Sequence, residues 1–272
     1  MNCRHSVLSI LALLGAALTA QGAGVYTEDF QFGLRNWLGT NESGSSGTWD
    51  WDSGSPRLTF APVFTPFDFT ESSLIADKYS SEGYFYGSYF VAGYPMLGFD
   101  VNFETAVPTL LRVDFYSGTN HMSRGWRPDE EGIVTQQWYR ALIALDANDL
   151  DHWTFSSSSD DFEDIANNVE RLAITVKRPG PINQTQTVRI DNVFLATAPH
   201  ATAVRLLGDT PAILWQYLRT GLTYQIETTA SLPGEWLPYS TFIATNAALS
   251  LEFTPTTNSA FFRLTTDALQ PR

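Results

Sequence analysis

The chain is short of cysteine, histidine and positive charge, and each shortage closes a class of function. Its one cysteine is Cys3, inside an N-terminal stretch built like a secretory leader. That stretch has a basic start (Arg4, His5), an apolar run from Val7 to Leu18, and then small residues. Ala20 and Gly22 fit the small-x-small rule, which puts cleavage near Gly22, and the run is too short to span a bilayer. With Cys3 removed, the mature chain has no thiol, so disulfides and thiol redox chemistry are excluded. Beyond the leader only His121, His152 and His200 remain, without HExxH spacing, which argues against a catalytic zinc. No G-x-S-x-G elbow and no glycine-rich phosphate loop between strand and helix is present. Lys and Arg number 16 against 29 Asp and Glu, for a net charge of −13 with no basic run. Nucleic acid and membrane insertion are therefore excluded as expectations, whereas an acidic surface suits divalent cations.

What is plentiful is aromatic: 14% of the residues, with eight Trp. Planar rings serve thick β-cores and sugar-stacking surfaces alike. From Val25 to about Ala198, short alternating runs are divided by Gly, Ser, Pro and Asn, the pattern of an all-β domain. In MLGFDVNF, Leu97, Phe99, Val101 and Phe103 share one face. Leu111, Val113 and Phe115 repeat the period, as do Leu172, Ile174 and Val176. WYRALIAL is apolar on both faces, as a covered central strand is. One helix is predicted from Phe162, Ile165, Ala166 and Val169, with Asp160 and Glu163 as a capping box. Within TVRIDNVFL the apolar positions change parity across Asp191 and Asn192, which predicts a bulge. The run ATAPHATA reads as a linker. Residues 203–269 form a second, smaller β unit that either stands alone or leans on its neighbour, with Tyr224, Ile226, Leu251, Phe253, Phe262 and Leu264 as inward candidates.

Two segments place aromatics in a Gly- and Ser-rich context. GTNESGSSGTWDWDSGSP holds Trp49 and Trp51, on one side of an extended piece, and HMSRGWRPDEEG holds Trp126 between Arg124 and Arg127. Sugar binding needs aromatic faces and a few fixed hydrogen-bonding groups. Trp49, Trp51, Trp126, Tyr84 and Tyr86 supply candidate faces; Arg124, Arg127 and Asp52 supply polar contacts. The opposed reading makes these rings packing residues of an adhesion or structural module that binds protein partners through strand edges. Trp37, Trp138, Trp153, Trp215 and Trp236 are assigned to packing. Catalysis by a glycosidase or lyase would rest on Asp129, Glu130 and Glu131 beside Arg124 and Arg127.

EDFQFGLRNW, GSYFVAGYPMLGFDVNFE, QQWYRALIALD and RIDNVFL together resemble the jelly-roll domains of the carbohydrate-binding-module and galactose-binding-like class, over residues 25–198. TYQIETTASLPGEW with FFRL resembles a small fibronectin-type-III-like module of secreted bacterial proteins. The resemblance implies a jelly-roll β-sandwich, a polysaccharide or glycan as ligand, no required cofactor, and a secreted, extracellular or periplasmic location. It also implies a structural calcium on Glu28 or Asp29 with Asp191, with Asp77 as a further ligand. Gln31 stands where such domains place an acid. The other reading of Asp191 and Asn192 is that they hydrogen-bond a turn or a strand edge.

Overall fold

A computed structural model defines the fold over residues 26–41, 47–62, 71–90, 95–146, 150–156, 161–178, 180, 183–197, 200–207, 210–216, 218, 220–229, 235–252, 261–265 and 269–271. The leader, Asp160 and Phe253 lie outside the described residues.

The alternating runs become two antiparallel sheets packed face to face, a jelly-roll β-sandwich. Sheet I carries, in spatial order, β19 (Gln270–Pro271), β9 (Trp138–Ala144), β6 (Met96–Phe103), β12 (Gln186–Ala196), β4 (Ser55–Phe60) and β3 (Gly47–Asp52). β1 (Tyr26–Glu28) also pairs with β12. Sheet II runs β10 (Thr154–Phe155), β8 (Asn120–Trp126), β7 (Leu110–Ser117), β11 (Arg171–Lys177), β5 (Glu71–Ala76) and β2 (Leu38–Asn41). Leu97, Phe99, Val101 and Phe103 from sheet I meet Leu111, Val113, Phe115, Leu172, Ile174 and Val176 from sheet II, and all are buried. The predicted helix is α1 (Phe162–Asn167), which buries Phe162, Ile165 and Ala166. Its N-cap is Asp161, whose side chain makes no capping bond, while the expected capping-box residue Asp160 lies outside the described residues.

The parity change in β12 is a bulge. Asp191 opposes Asp100 and Phe194 opposes Gly98, so Asn192 and Val193 together face Phe99. Asn192 takes a positive φ of 48°, which asparagine tolerates better than most residues. The extra residue returns Val193 and Leu195 to the inner face beside Val188 and Ile190, and sends Phe194 and Ala196 outward. Beyond the bulge, β12 receives β1, with Glu28 opposite Val193 and Tyr26 opposite Leu195.

Outside sheet I, Met96, Leu142, Phe194 and Ala196 form one apolar cluster with Ile213, Trp215, Leu218, Leu222, Tyr224 and Ala244 of the C-terminal unit. That unit consists of two three-stranded sheets. One is β13 (His200–Leu207), β14 (Thr210–Gln216) and β17 (Ala248–Glu252); the other is β16 (Leu237–Ile243), β15 (Thr223–Thr229) and β18 (Phe261–Thr265). It leans on its neighbour, and the chain crosses to it with three residues between β12 and β13. The chain then returns. Leu269 enters the sandwich core, β19 pairs with β9, and the Gln270 side chain accepts from Thr223 N–H (2.8 Å) and donates to Thr223 C=O (2.9 Å). β9 owes its central place in sheet I to this returning strand.

Candidate functional site

The residues singled out in the sequence separate into a core set and a corner set. Trp126 is the last residue of β8, 7% exposed, edge-on to Phe99 in the core. Arg124, 6% exposed, points inward from the same strand with its guanidinium over Trp153. The predicted aromatic loop is thus a strand whose alternate residues face the core, and Trp126 presents no face to solvent. Trp49 sits in β3 and is half-buried. Its indole N–H donates to Ser72 Oγ (2.8 Å), and a Cβ on Gly39 would fall 2.5 Å from its own Cβ, so it closes the gap between sheet edges. Arg127 is exposed and bonds Glu130 (2.6 Å), one turn along the chain. Glu130 and Glu131 donate their backbone N–H groups to the carbonyls of Arg127 and Pro128, so this acidic run is a solvated turn.

Trp51, Tyr84 and Tyr86 are exposed, and they share one corner of the sandwich with Phe32 and Tyr79. The corner consists of the loop between β1 and β2 clasped to the loop after β5. Ser81 N–H bonds Arg35 C=O (3.0 Å), Asn36 Nδ2 donates to Tyr79 C=O (3.1 Å), and Arg35 pairs with Glu82 (2.8 Å). Underneath, Trp37 Nε1–H donates to Ser81 Oγ (2.7 Å), whose hydroxyl donates to the buried Glu28 carboxylate (2.6 Å). Burial and the Glu28 carboxylate beside it push the Tyr26 phenol up to about 12. Phe30, Arg35, Asn36, Ser81 and Glu82 all hold positive φ, a conformation that such residues keep only where surroundings over-determine it. On this rigid base Tyr84 lies flat against Tyr26, 3.8 Å between centroids at 12°, and Trp51 Nε1–H is fixed to Phe30 C=O (2.7 Å).

The carboxylates implied for calcium each accept hydrogen bonds from within the protein. Glu28 accepts from Ser81, Phe30 N–H (3.1 Å) and Tyr26; Asp29 accepts from Gln31 N–H (3.2 Å). Asp77 accepts from Tyr79 N–H (2.8 Å), and Asp191 from Asn192 N–H (2.7 Å). Among the described residues no group of three or more His, Cys, Asp or Glu side chains comes together, whereas calcium takes six to eight oxygens. For Asp191 the bond from Asn192 N–H is of the kind that the turn-bonding reading names.

A second surface escaped the sequence reading. With Leu111, Val113 and Phe115 in the core, the pleat turns Arg112, Asp114 and Tyr116 to the outside of sheet II. There a hydrogen-bonded row crosses three strands. Ser73 and Thr175 share a hydrogen (2.8 Å), Thr175 donates to Asp114 (3.0 Å), and Arg112 bridges Asp114 (2.9 Å) and Glu71 (3.4 Å). Ser123, Gly125 and Ala173 keep the floor beside it low. At one end Tyr116 lies between Arg171, 3.8 Å over its ring, and His121, 5.3 Å away at 29°. Burial, then the Asp114 charge, pushes the Tyr116 phenol up, so it remains a hydroxyl donor through neutral pH.

No protein-family model matches the chain, and no curated protein matches it. Solved structures with a similar backbone include the family 11 carbohydrate-binding module from Clostridium thermocellum in complex with a β-1,3-1,4-mixed-linked tetrasaccharide. Identity is 13% and TM-score 0.43, over 65% of this chain and 97% of that one. An agarase matches at 8% identity and TM-score 0.44, over 65% of this chain and 25% of that one. The L4b domain of human laminin α-2 matches at 12% identity and TM-score 0.42, over 65% and 99%. At such identities and TM-scores, what this chain binds rests on its own side chains.

Proposed function

We propose that the protein is a secreted, non-catalytic carbohydrate-binding protein that holds a polysaccharide on the outer face of sheet II. The observation that carries this reading is the row Ser73–Thr175–Asp114–Arg112–Glu71, ending at the Tyr116 stack. A sugar presents many hydroxyls, each both donor and acceptor, and binding it from water requires partners already fixed in place. Asp114 and Thr175 are buried and hold Arg112 in place, so its part-exposed guanidinium needs no reordering when hydroxyls replace water. Arg112 and Glu71, whose side chains are 30 and 14% exposed, offer donor and acceptor side by side to vicinal hydroxyls. The reading of the C-terminal unit as fibronectin-type-III-like is supported by its two three-stranded sheets. Its described residues pack on sheet I, through Met96, Leu142, Phe194 and Ala196, and not on sheet II.

Affinity electrophoresis of the full mature chain through gels containing mixed-linkage β-glucan, xyloglucan, galactomannan or agarose tests the reading. Retardation by at least one polymer is expected, lost in Arg112→Met and Tyr116→Ala. Trp126→Ala, a core substitution costing about 3–5 kcal/mol, serves as the stability control. Migration unaffected by every polymer sinks the proposal. Export is checked separately by the N-terminus of the secreted protein, expected near Gly22.

A further inference from the structure

We infer that the corner formed by loops 29–37 and 77–87 is a ring-stacking subsite for the same neutral polysaccharide, reached by a chain that also lies on sheet II. This rests on the glycan-binding reading and adds the chemistry that sheet II lacks. On sheet II the faces of Tyr116 are taken up by His121 and Arg171, so that surface offers hydrogen bonds and no free ring. The corner offers the reverse. Phe32, Trp51, Tyr79, Tyr84 and Tyr86 are between 44 and 86% exposed, and every exposed aromatic described in the sandwich is among these five. Exposed large rings gathered on two loops and the adjoining strand β3 mark a binding surface rather than ordinary scatter.

Three features fit this surface to sugar rings. The platform is rigid: Tyr84 is backed by Tyr26 and shows its other face outward, while Trp51 is pinned to Phe30. A ring already immobile loses little entropy on binding. The local charges are of both signs and engaged within the protein, Arg35 with Glu82, Lys78 over the Tyr79 ring (4.9 Å), Asp77 with Tyr79 N–H, and Asp29 with Gln31 N–H, so neither sign of ligand charge is selected. The corner also adjoins the Tyr116 end of sheet II. Leu172 pairs with Ala76 and Ile75 with Leu38, so both loops leave the sheet beside Arg171. Two strand spacings, about 10 Å, separate β11 from β2.

A site built this way reads chain length. Titration calorimetry of the full mature protein, with graded oligomers of whichever polymer retards it, gives affinity against length. Affinity should rise once as the sheet fills and again when the oligomer reaches the corner. Trp51→Ala/Tyr84→Ala should weaken the long oligomers about tenfold and remove the second rise. Phe32→Ser/Tyr86→Ala, which leaves the clasp bonds in place, should lower the same rise if the first variant fails to fold. An unchanged second rise in the folded variants, or a wild type without one, overturns the inference and leaves the sheet II reading standing. Failure of every polymer to retard the wild type removes both.

Discussion

The ring of Phe194 lies across Gly98 so closely that a Cβ on the glycine would sit 2.2 Å from its Cζ. Phe194 is turned outward by the β12 bulge and packs with Trp215 and Tyr224 of the C-terminal unit. Glycine is thus required by contact, not by backbone angle. Gly98→Ala must push the ring away from its seat, and overpacking of this kind costs about 1–3 kcal/mol. Urea unfolding should show a lower midpoint. A further substitution, Phe194→Leu in the Gly98→Ala background, should recover part of the loss.

Asp100 is fully buried on the same face, where Arg140 bonds it twice (2.7 and 2.9 Å) and Asn192 Nδ2 donates to it (2.9 Å). Removing one member leaves the other charge without its partner. Asp100→Ala is therefore expected to destabilise by about 3–5 kcal/mol. Replacing Asp100 and Arg140 together by Leu and Met should cost much less than the sum of the single changes, in a double-mutant cycle read by denaturant unfolding.

Stability in acid should depend on Asp52. Its bond from Arg189, assisted by Arg57, holds its carboxyl below the ordinary value of 3.8. A depressed folded-state value means that the contribution is present above the unfolded value and disappears as pH falls through the folded one. The melting temperature should therefore drop more steeply below pH 3.8 in wild type than in Asp52→Asn, whose loss is already taken at neutral pH. Parallel curves would refute the assignment.

Leu269 and Gln270 tie the end of the described chain to both units. Leu269→Ala opens a cavity in the sandwich core and should cost about 2–5 kcal/mol. Gln270→Ala removes both side-chain bonds to Thr223 and should cost about 1–3 kcal/mol. Scanning calorimetry is expected to show one transition moving as a whole in each variant, because the shared cluster joins the units. Separate transitions would count against that coupling.

The inner face was legible in the sequence because a period of two needs only neighbours: Leu97 to Phe103 declare it by themselves. The bulge was legible for the same reason, since the parity of Val188, Ile190, Val193 and Leu195 changes within one run. Trp126 was hidden because Gly125 and Pro128 flank it with turn-forming residues, while Arg124 occupies an inward position where an apolar residue would have announced the strand. Trp49 was hidden by the Gly-Ser run before it; its partners Ser72 and Gly39 belong to other strands. The sheet II row depends on register between distant segments. Ser73 and Thr175 are 102 positions apart and Asp114 and Thr175 are 61 apart. The alternation of Arg112, Asp114 and Tyr116 carried a local hint, but nothing nearby says which strands will stand beside them. Whether Glu28, Asp29, Asp77 and Asp191 converge depends likewise on where each side chain is aimed.

The strand that receives β1 is the last of the sandwich proper, and the strand that borders β9 comes only after the whole C-terminal unit. Emerging from the ribosome, the chain therefore makes its opening strand long before that strand has anywhere to lie. Most pairings in sheet I join distant segments, and such closure is slow because loop entropy is lost before contacts compensate. The two units should consequently mature together and late, with apolar strand edges open in the interval, a state that favours chaperone capture and punishes crowding at high expression.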